Sequence, residues 1–296
     1  MSVSLRKQLE DLMEEKGLSL TAISRALGYS TGAMSSWAAG TYTGNVAKID
    51  DAVKGLLERE REKKQTPKKA YAFVMTSIAK KVFEVARICH LDNELGICYG
   101  DAGLGKTDAA KEYAKRNSDT ILVEADLGFT AKVLFSYLHK NAGLSGLGSI
   151  NDMKEEIIAK LKGSGRLIII DEAEHLPYRA LELLRRVYDK AGVGIMLVGM
   201  PRLRENLKGR KGEYTQLYSR VGVAGRLELL RATDTEEIVK VTVPSINGLW
   251  KAYHEASSQN TRRLSKLLAR SVRIATINDM PLNPDIIREA AKTLIV

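Results

Sequence analysis

The sequence predicts a three-layer α/β domain with a parallel sheet, preceded by an all-helical domain and followed by a helical lid. Short aliphatic strands alternate with helical stretches between residues 71 and 232, which is typical of a parallel sheet covered on both faces. The apolar spacing before residue 60 and after residue 233 is helical only. We therefore expect a helical domain over 1–60, a linker over 61–70, the α/β domain over 71–232 and the lid over 233–296.

The first 60 residues have the layout of a helix-turn-helix. Apolar residues recur at helical spacing in four stretches, and Gly28 with Tyr29 makes a turn between the second and the third. Ser30 is placed to cap the third helix, and Gly40 to end it. The predicted helices cover residues 5–16, 21–27, 31–39 and 46–61.

This segment resembles the small repressor-like DNA-binding domains of the phage Cro type. The resemblance implies that the third helix enters a major groove, with Ser30 and Thr31 facing the bases. Arg, Lys, Asn and Gln make the contacts that discriminate bases best, and the third helix has none of them. We therefore expect DNA contact with little sequence preference, and a helical module that docks another protein is the alternative.

The formal net charge of +10 is unevenly distributed. Residues 1–60 hold seven basic and eight acidic groups, whereas 61–69 has a net charge of +4 and contains Pro67, which suits an exposed linker. Residues 202–211 hold five basic groups against Glu205, and two glycines mark this segment as a loop. Concentrated positive charge attracts phosphate backbones, so we expect duplex DNA as a partner, with a merely soluble basic surface as the alternative. The candidate DNA contacts are Arg202, Arg204, Lys208, Arg210 and Lys211.

Composition excludes several other classes of protein. No segment approaches the roughly 18 uninterrupted apolar residues that span a bilayer, and the first residues lack the apolar core of a signal peptide. We therefore expect a cytoplasmic protein with no membrane partner. Cys89 and Cys98 are too few and too widely spaced for a zinc cage or a redox pair.

Residues 100–107 match the phosphate-binding motif G-x-x-x-x-G-K-[ST] and follow an apolar strand over 95–99. Its glycines let backbone N–H groups turn toward phosphate oxygens, and the helix that begins near Lys106 adds its positive end. Lys106 would reach the terminal phosphates and Thr107 would ligate magnesium, so ATP and Mg²⁺ are the expected cofactors. A chance glycine turn is the alternative. The motif consists of Gly100, Asp101, Ala102, Gly103, Leu104, Gly105, Lys106 and Thr107.

A second motif delivers two acids to the end of a strand. Residues 167–170 are aliphatic, as in a strand covered on both faces, and Asp171 and Glu172 follow them. Ligands of open α/β sheets bind where such strands end. Asp171 would hold magnesium and Glu172 would polarise the attacking water, whereas a solvated strand end is the alternative.

Two arginines could complete the site. Arg220 lies between the fourth and the expected last strand, from where it could reach the nucleotide of a neighbouring subunit and neutralise phosphoryl charge in trans. A local salt bridge is the alternative for Arg220. Arg262 opens a lid helix and could contact the γ-phosphate within its own subunit.

Taken in order, these motifs resemble those of the AAA+ ATPases, and the whole chain resembles the phage Mu transposition protein B family of ATP-dependent target DNA activators. The resemblance rests on residues 27–32, the basic linker, the phosphate loop and the segment 169–176. It implies an ATP-bound homo-oligomer, helical on DNA, that binds duplex with little sequence preference and delivers it to a transposase. The transposase in turn is expected to stimulate ATP hydrolysis. A closed ring is the alternative to the helical oligomer.

The chain departs from the usual AAA+ pattern at Met200, where a polar sensor residue commonly follows the fourth strand. A thioether cannot hold the attacking water as an amide or hydroxyl can, so either hydrolysis is slow or another group serves. Two rival functions share the nucleotide motifs: a helicase loader or replication initiator, and an ATP-gated transcription regulator whose helix-turn-helix reads an operator.

Overall fold

The computed structural model describes residues 2–65, 73–146, 148–209, 215–244 and 248–294. The chain divides into two compact units. The first contains residues 1–70 and Val272–Pro281, and the second contains Tyr71–Ser271 and Leu282–Val296. Across the described ranges, no helix is both long enough and apolar enough to cross a membrane.

Four helices build the N-terminal part of the first unit around a small apolar core. Trp37 is fully buried in this core, and its Nε1 donates a hydrogen bond to Oδ1 of Asp50 at 2.8 Å. Ser30 caps the third helix by accepting from the backbone N–H of Ala33. The fourth helix continues past the expected end at Arg61, so the first half of the expected linker is helical, and residues 66–72 lie outside the described ranges. The helices are α1 (Ser2–Lys16), α2 (Leu20–Leu27), α3 (Thr31–Ala39) and α4 (Val46–Gln65).

The second unit contains a parallel five-stranded sheet in the order β2-β3-β4-β1-β5. Each strand is followed by helical chain, as the α/β prediction requires. The strands are β1 (Leu95–Tyr99), β2 (Thr120–Glu124), β3 (Leu167–Asp171), β4 (Gly194–Gly199) and β5 (Val221–Arg226). The helices within and before the sheet are α5 (Ser77–Asp92), α6 (Lys106–Arg116), α7 (Ala131–Asn141), α8 (Ile150–Leu161), α9 (Tyr178–Ala191), α10 (Arg202–Lys208) and α11 (Thr215–Tyr218).

Successive side chains of β3 and β4 point to opposite faces of the sheet and therefore pack in different layers of the core. Ile168 and Ile170 of β3 belong to the same apolar cluster as Ile195 and Leu197 of β4, and helices α7 to α10 supply the facing side chains. This division follows from the two-residue period of a strand, and burial of both faces explains why β3 and β4 are apolar throughout. Four helices follow β5 in the described part of the chain: α12 (Ala232–Thr242), α13 (Trp250–Ala256), α14 (Thr261–Ile277) and α15 (Pro284–Lys292).

The prediction of a loop over residues 202–211 was wrong for its first seven residues, which form α10. Leu203 and Leu207 stand four residues apart, are fully buried and anchor one face of this helix in the sheet core. Gly209 ends the helix with a positive φ of 74°. Residues 210–214, including Arg210 and Lys211, lie outside the described ranges.

Candidate nucleotide site

The phosphate loop lies between the end of β1 and the first residue of α6. Gly103 and Gly105 have φ values of 80° and 88°, which L side chains rarely adopt. A Cβ on Gly103 would also lie 2.5 Å from Oδ1 of Asn260, so the close approach of these two segments requires a glycine. Within the described chain, no side chain caps the start of α6, which leaves its first N–H groups available to an anion.

Lys106 is folded back onto its own loop. Its Nζ donates to the carbonyl oxygens of Gly100 and Asp101, each at 2.7 Å. Burial lowers the pKa of Lys106, and the charges of Glu174, Asp171 and Asp101 oppose that shift. The ammonium group is therefore held beside the loop amid three carboxylates, where it can exchange carbonyl oxygens for phosphate oxygens.

Asp171 ends β3 and is buried beside Thr107. Its Oδ1 accepts from the N–H of Glu172 at 2.9 Å, whereas Oδ2 is buried without a hydrogen-bond partner among the described residues. Burial raises the pKa of Asp171, and the Thr107 hydroxyl and the Glu172 N–H partly offset that effect. A buried carboxylate oxygen and a neighbouring hydroxyl are oxygen donors of the kind that magnesium prefers, so these residues fit the expected Mg²⁺.

Glu172 occupies the left-handed region, with φ 51° and ψ 35°. For a residue with a Cβ this conformation costs of order 1 kcal/mol or more, and such strain clusters at functional sites. The side chain is 48% exposed, and its Oε2 lies 3.5 Å from Nε2 of His175. The turn therefore aims Glu172 away from the buried strand and toward solvent at the strand end.

The start of α14 lies directly on the phosphate loop. Nδ2 of Asn260 donates to the carbonyl of Ala102 at 2.8 Å, and the Thr261 hydroxyl donates to the carbonyl of Leu104 at 3.2 Å. The N–H of Arg262 donates to the carbonyl of Gly103 at 2.9 Å, while its side chain is exposed. Arg262 was predicted from the sequence as a site residue, whereas Asn260 and Thr261 were not, although Asn-Thr before a helix is a recognisable capping signal.

A second contact joins the helical region to the sheet domain. The carboxylate of Asp234 in α12 accepts from both the N–H and the hydroxyl of Ser77, the first residue of α5. Asp234 is only 6% exposed, so this pair is shielded from water. The sequence offered no local signal for it because the partners are 157 residues apart.

Arg220 pairs within its own chain. Its Nε lies 3.1 Å from Oδ1 of Asp189 in α9, and Asp189 also pairs with Arg185. The Arg220 side chain remains 44% exposed. The structure thus shows the local salt bridge that the sequence left as the alternative, on a side chain that is still partly exposed.

The candidate DNA contacts differ in their surroundings. Ser30 and Thr31 are exposed at the start of α3. Arg204 hydrogen-bonds the Tyr218 hydroxyl, which lowers the pKa of Tyr218, and Lys208 lies 4.8 Å from the centre of the Tyr218 ring. Arg202 instead points toward Glu174 and His175.

The fold is that of an AAA domain, and the site resembles the nucleotide site of the AAA+ ATPases. Residues 90–207 match the AAA domain family, which confirms the predicted fold class. The structure of Aeropyrum pernix ORC2 in its ADP form is similar in fold, with a TM-score of 0.61 and 17% identity over 78% of this chain and 72% of that one.

Homologues of the chain carry the name of Mu transposition protein B. The Mu-like prophage FluMu DNA transposition protein B of Haemophilus influenzae is 29% identical over 244 residues, covering 80% of this chain and 85% of the relative. The ATP-dependent target DNA activator B of Escherichia phage Mu is 26% identical over 311 aligned positions, covering 99% of this chain and 96% of the relative. These similarities confirm the resemblance inferred from the motifs.

Proposed function

We propose that the chain binds Mg-ATP, assembles as a homo-oligomer on duplex DNA and activates that DNA as a target for a transposase. The observation that carries this proposal is the similarity to the phage Mu target DNA activator, because it covers 99% of the chain and includes the N-terminal helices as well as the AAA domain. We place this activity in the cytoplasm of a host cell.

Each part of the site has a role in this proposal. The backbone of Gly100 to Gly105 and the ammonium of Lys106 bind phosphates, while Thr107 and Asp171 hold Mg²⁺. Mg-ATP, when bound, would supply the phosphoryl bond to be broken, and its Mg²⁺ would supply positive charge that stabilises the negative charge developing on the phosphoryl oxygens. Arg262, in the first turn of α14, would contact the γ-phosphate within its own subunit.

Glu172 is the proposed general base. A carboxylate that is half exposed at a strand end can exchange its contact with His175 for a contact with water, and it can then orient that water for attack. Arg220 is proposed to act in trans. It would leave Asp189 for the nucleotide of a neighbouring subunit, so hydrolysis would depend on assembly.

DNA contact is assigned to basic side chains of residues 204–211 and to hydroxyl groups of the N-terminal unit. Arg204, Lys208, Arg210 and Lys211 would contact phosphates, which supplies affinity without sequence preference. Ser30 and Thr31 add exposed hydroxyl groups at the start of α3 in the N-terminal unit. The basic total charge of +10 supports the same partner.

The test is sedimentation of the chain on long duplex DNA with ATP, ADP or no nucleotide, followed by footprinting. We expect sedimentation only with ATP, and protection spread along the whole duplex. A transposase encoded beside this chain should then insert preferentially into the coated DNA. Nucleotide-independent sedimentation would contradict the proposal, protection of one site would favour a transcription regulator, and co-purification with a replicative helicase would favour a helicase loader.

A further inference from the structure

A cluster of charged side chains connects α10 with the turn that follows β3. Nη2 of Arg202, the first residue of α10, lies 3.8 Å from Oε1 of Glu174 and 3.4 Å from Nε2 of His175. The same Nε2 of His175 lies 3.5 Å from Oε2 of Glu172. One guanidinium group therefore contacts two of the three polar side chains of this turn, and one of these, His175, lies beside the third, Glu172.

Glu174 is the buried member of this cluster. Its side chain is only 3% exposed, and its Oε2 has no hydrogen-bond partner among the described residues. That oxygen lies against the backbone of Gly199 at the end of β4, where an added Cβ would come within 2.2 Å. A carboxylate in such surroundings is costly unless a cation compensates its charge, and Arg202 is a cation in direct contact with it.

Glu174 also lies near the phosphate loop. The carbonyl of Gly199 accepts from the N–H of Gly100, the first residue of the loop, at 3.2 Å. Among the acids that oppose the lowered pKa of Lys106, Glu174 has the largest effect, ahead of Asp171. The buried carboxylate thus stands between the nucleotide-binding lysine on one side and α10 on the other.

A second contact ties α10 to the same turn. Nδ2 of Asn206, one helical turn after Arg202, donates to the backbone carbonyl of Glu174 at 3.1 Å. Met200 and Pro201 lie between β4 and α10, and neither side chain offers a strong hydrogen-bonding group. The polar contacts of this edge of the site therefore come from α10 and not from the residue that follows β4.

We propose that Arg202 is a positioning residue of the ATPase site, which holds the turn bearing Glu172 through its contacts with Glu174 and His175. This inference rests on the proposed ATP-dependent function and adds a residue to it. It also removes Arg202 from the DNA-facing set, because its guanidinium group is turned toward two residues of the turn after β3. Arg204 and Lys208 of the same helix remain in that set.

The test compares Arg202→Gln and Arg202→Lys with Arg288→Gln, an exposed arginine of α15 whose ion pair is with Asp285 of its own helix. Steady-state hydrolysis is measured with saturating duplex DNA, and Mg-ATP affinity by calorimetry. We expect R202Q to lower kcat about tenfold with Kd changed by less than about twofold, because the turn and not the phosphate loop is disturbed. R202K, which keeps the positive charge, should recover most of kcat, and R288Q should match the unmodified chain.

If R202Q also weakens ATP binding, a double variant with Glu174→Gln still tests whether Arg202 acts through Glu174. Glu174→Gln removes the charge that needs a partner, so adding R202Q to it should lower kcat by less than about threefold. Independent, multiplicative losses would overturn the inference, as would an R202Q kcat within about twofold of the unmodified chain. An unmodified chain without ATPase activity would instead refute the proposed function, so the two failures are distinguishable.

Discussion

The side-chain amide of Asn260 donates to the backbone carbonyl of Ala102 across 2.8 Å, which joins the segment before α14 to the phosphate loop. Oδ1 of the same amide accepts from the N–H of Arg263 at 3.1 Å and so caps α14. One side chain thus orders both the loop and the start of the helix that bears Arg262. The position of this helix is therefore coupled to the conformation of the nucleotide-binding loop.

Asn260→Ala should weaken Mg-ATP binding. A hydrogen bond of this kind contributes about 0.5–1.5 kcal/mol, which corresponds to an increase in Kd of roughly twofold to tenfold. Calorimetric titration measures the change. Asn278→Ala is the control, because Asn278, which directly follows α14, donates at the same 2.8 Å distance to the carbonyl of Ile274 in that helix and should leave Kd unchanged. Equal effects of both substitutions would show that the link to Ala102 is irrelevant to binding.

Glu172→Gln should separate binding from hydrolysis. Loss of a general base typically lowers turnover by about 100-fold or more, while the phosphate contacts of Lys106 are untouched. We expect Kd for Mg-ATP to stay within about twofold and coated DNA to persist longer, because release follows hydrolysis. Glu289→Gln, an exposed acid paired with Lys292, is the control. Retention of normal turnover by E172Q would assign the base to another residue.

A mixing experiment tests whether Arg220 acts in trans. Glu172→Gln should bind nucleotide and assemble without hydrolysing it, and Arg220→Ala should lose assembly-dependent hydrolysis, so each variant alone is nearly inactive. In an equal mixture, roughly a quarter of random junctions pair an intact nucleotide site with an intact arginine, and activity should return to that extent.

A purely local role for Arg220, as the salt-bridge partner of Asp189, predicts a different result for the mixture. If Arg220 serves only Asp189, the mixture stays inactive and Asp189→Ala reproduces the effect of R220A on hydrolysis. The pair itself is partly exposed on both sides, so its loss should change the free energy of unfolding by less than about 1 kcal/mol. Chemical denaturation checks that the variants remain folded.

Charge reversal of Lys208, Arg210 and Lys211 to glutamate should weaken duplex binding in an ionic-strength-dependent way. Each lost phosphate contact reduces the slope of log K against log salt by about 0.9, so three contacts would reduce it by about 2.7. Fluorescence anisotropy over a series of salt concentrations measures the slope. Lys292→Glu, an exposed lysine of α15, is the matched control. An unchanged slope would exclude this segment from the DNA interface.

Trp37→Ala should unfold the N-terminal helices selectively. Removing a fully buried tryptophan lowers the free energy of unfolding by about 3–5 kcal/mol, which is enough to unfold a small helical unit. Calorimetry should show one lost or lowered transition, while ATP affinity stays within about twofold because the phosphate loop belongs to the other unit. Ser35→Ala, on the exposed side of α3, should behave as the unmodified chain. The variant then shows whether DNA coating needs the N-terminal unit.

The strands and most helices were predictable because their signals are local. The aliphatic run before Asp171, the glycines of the phosphate loop and the alternation of strand and helix all lie within short stretches of sequence, and the AAA fold was predictable from them. The error at α10 has a clear cause. The density of basic residues and the flanking glycines indicated a loop, whereas two buried leucines four residues apart stabilise a helix.

By itself the sequence determined the phosphate loop, the two acids after β3, the sheet and the family, because each depends on neighbouring residues. Only the tertiary structure decided the partners of these groups. Asn260 with Ala102, Arg202 with Glu174, and Arg220 with Asp189 are separated by 158, 28 and 31 residues in the chain. Such pairs form where the ends of parallel strands and the following helices converge. The spacing of residues within a short stretch of sequence does not predict which side chains come into contact there.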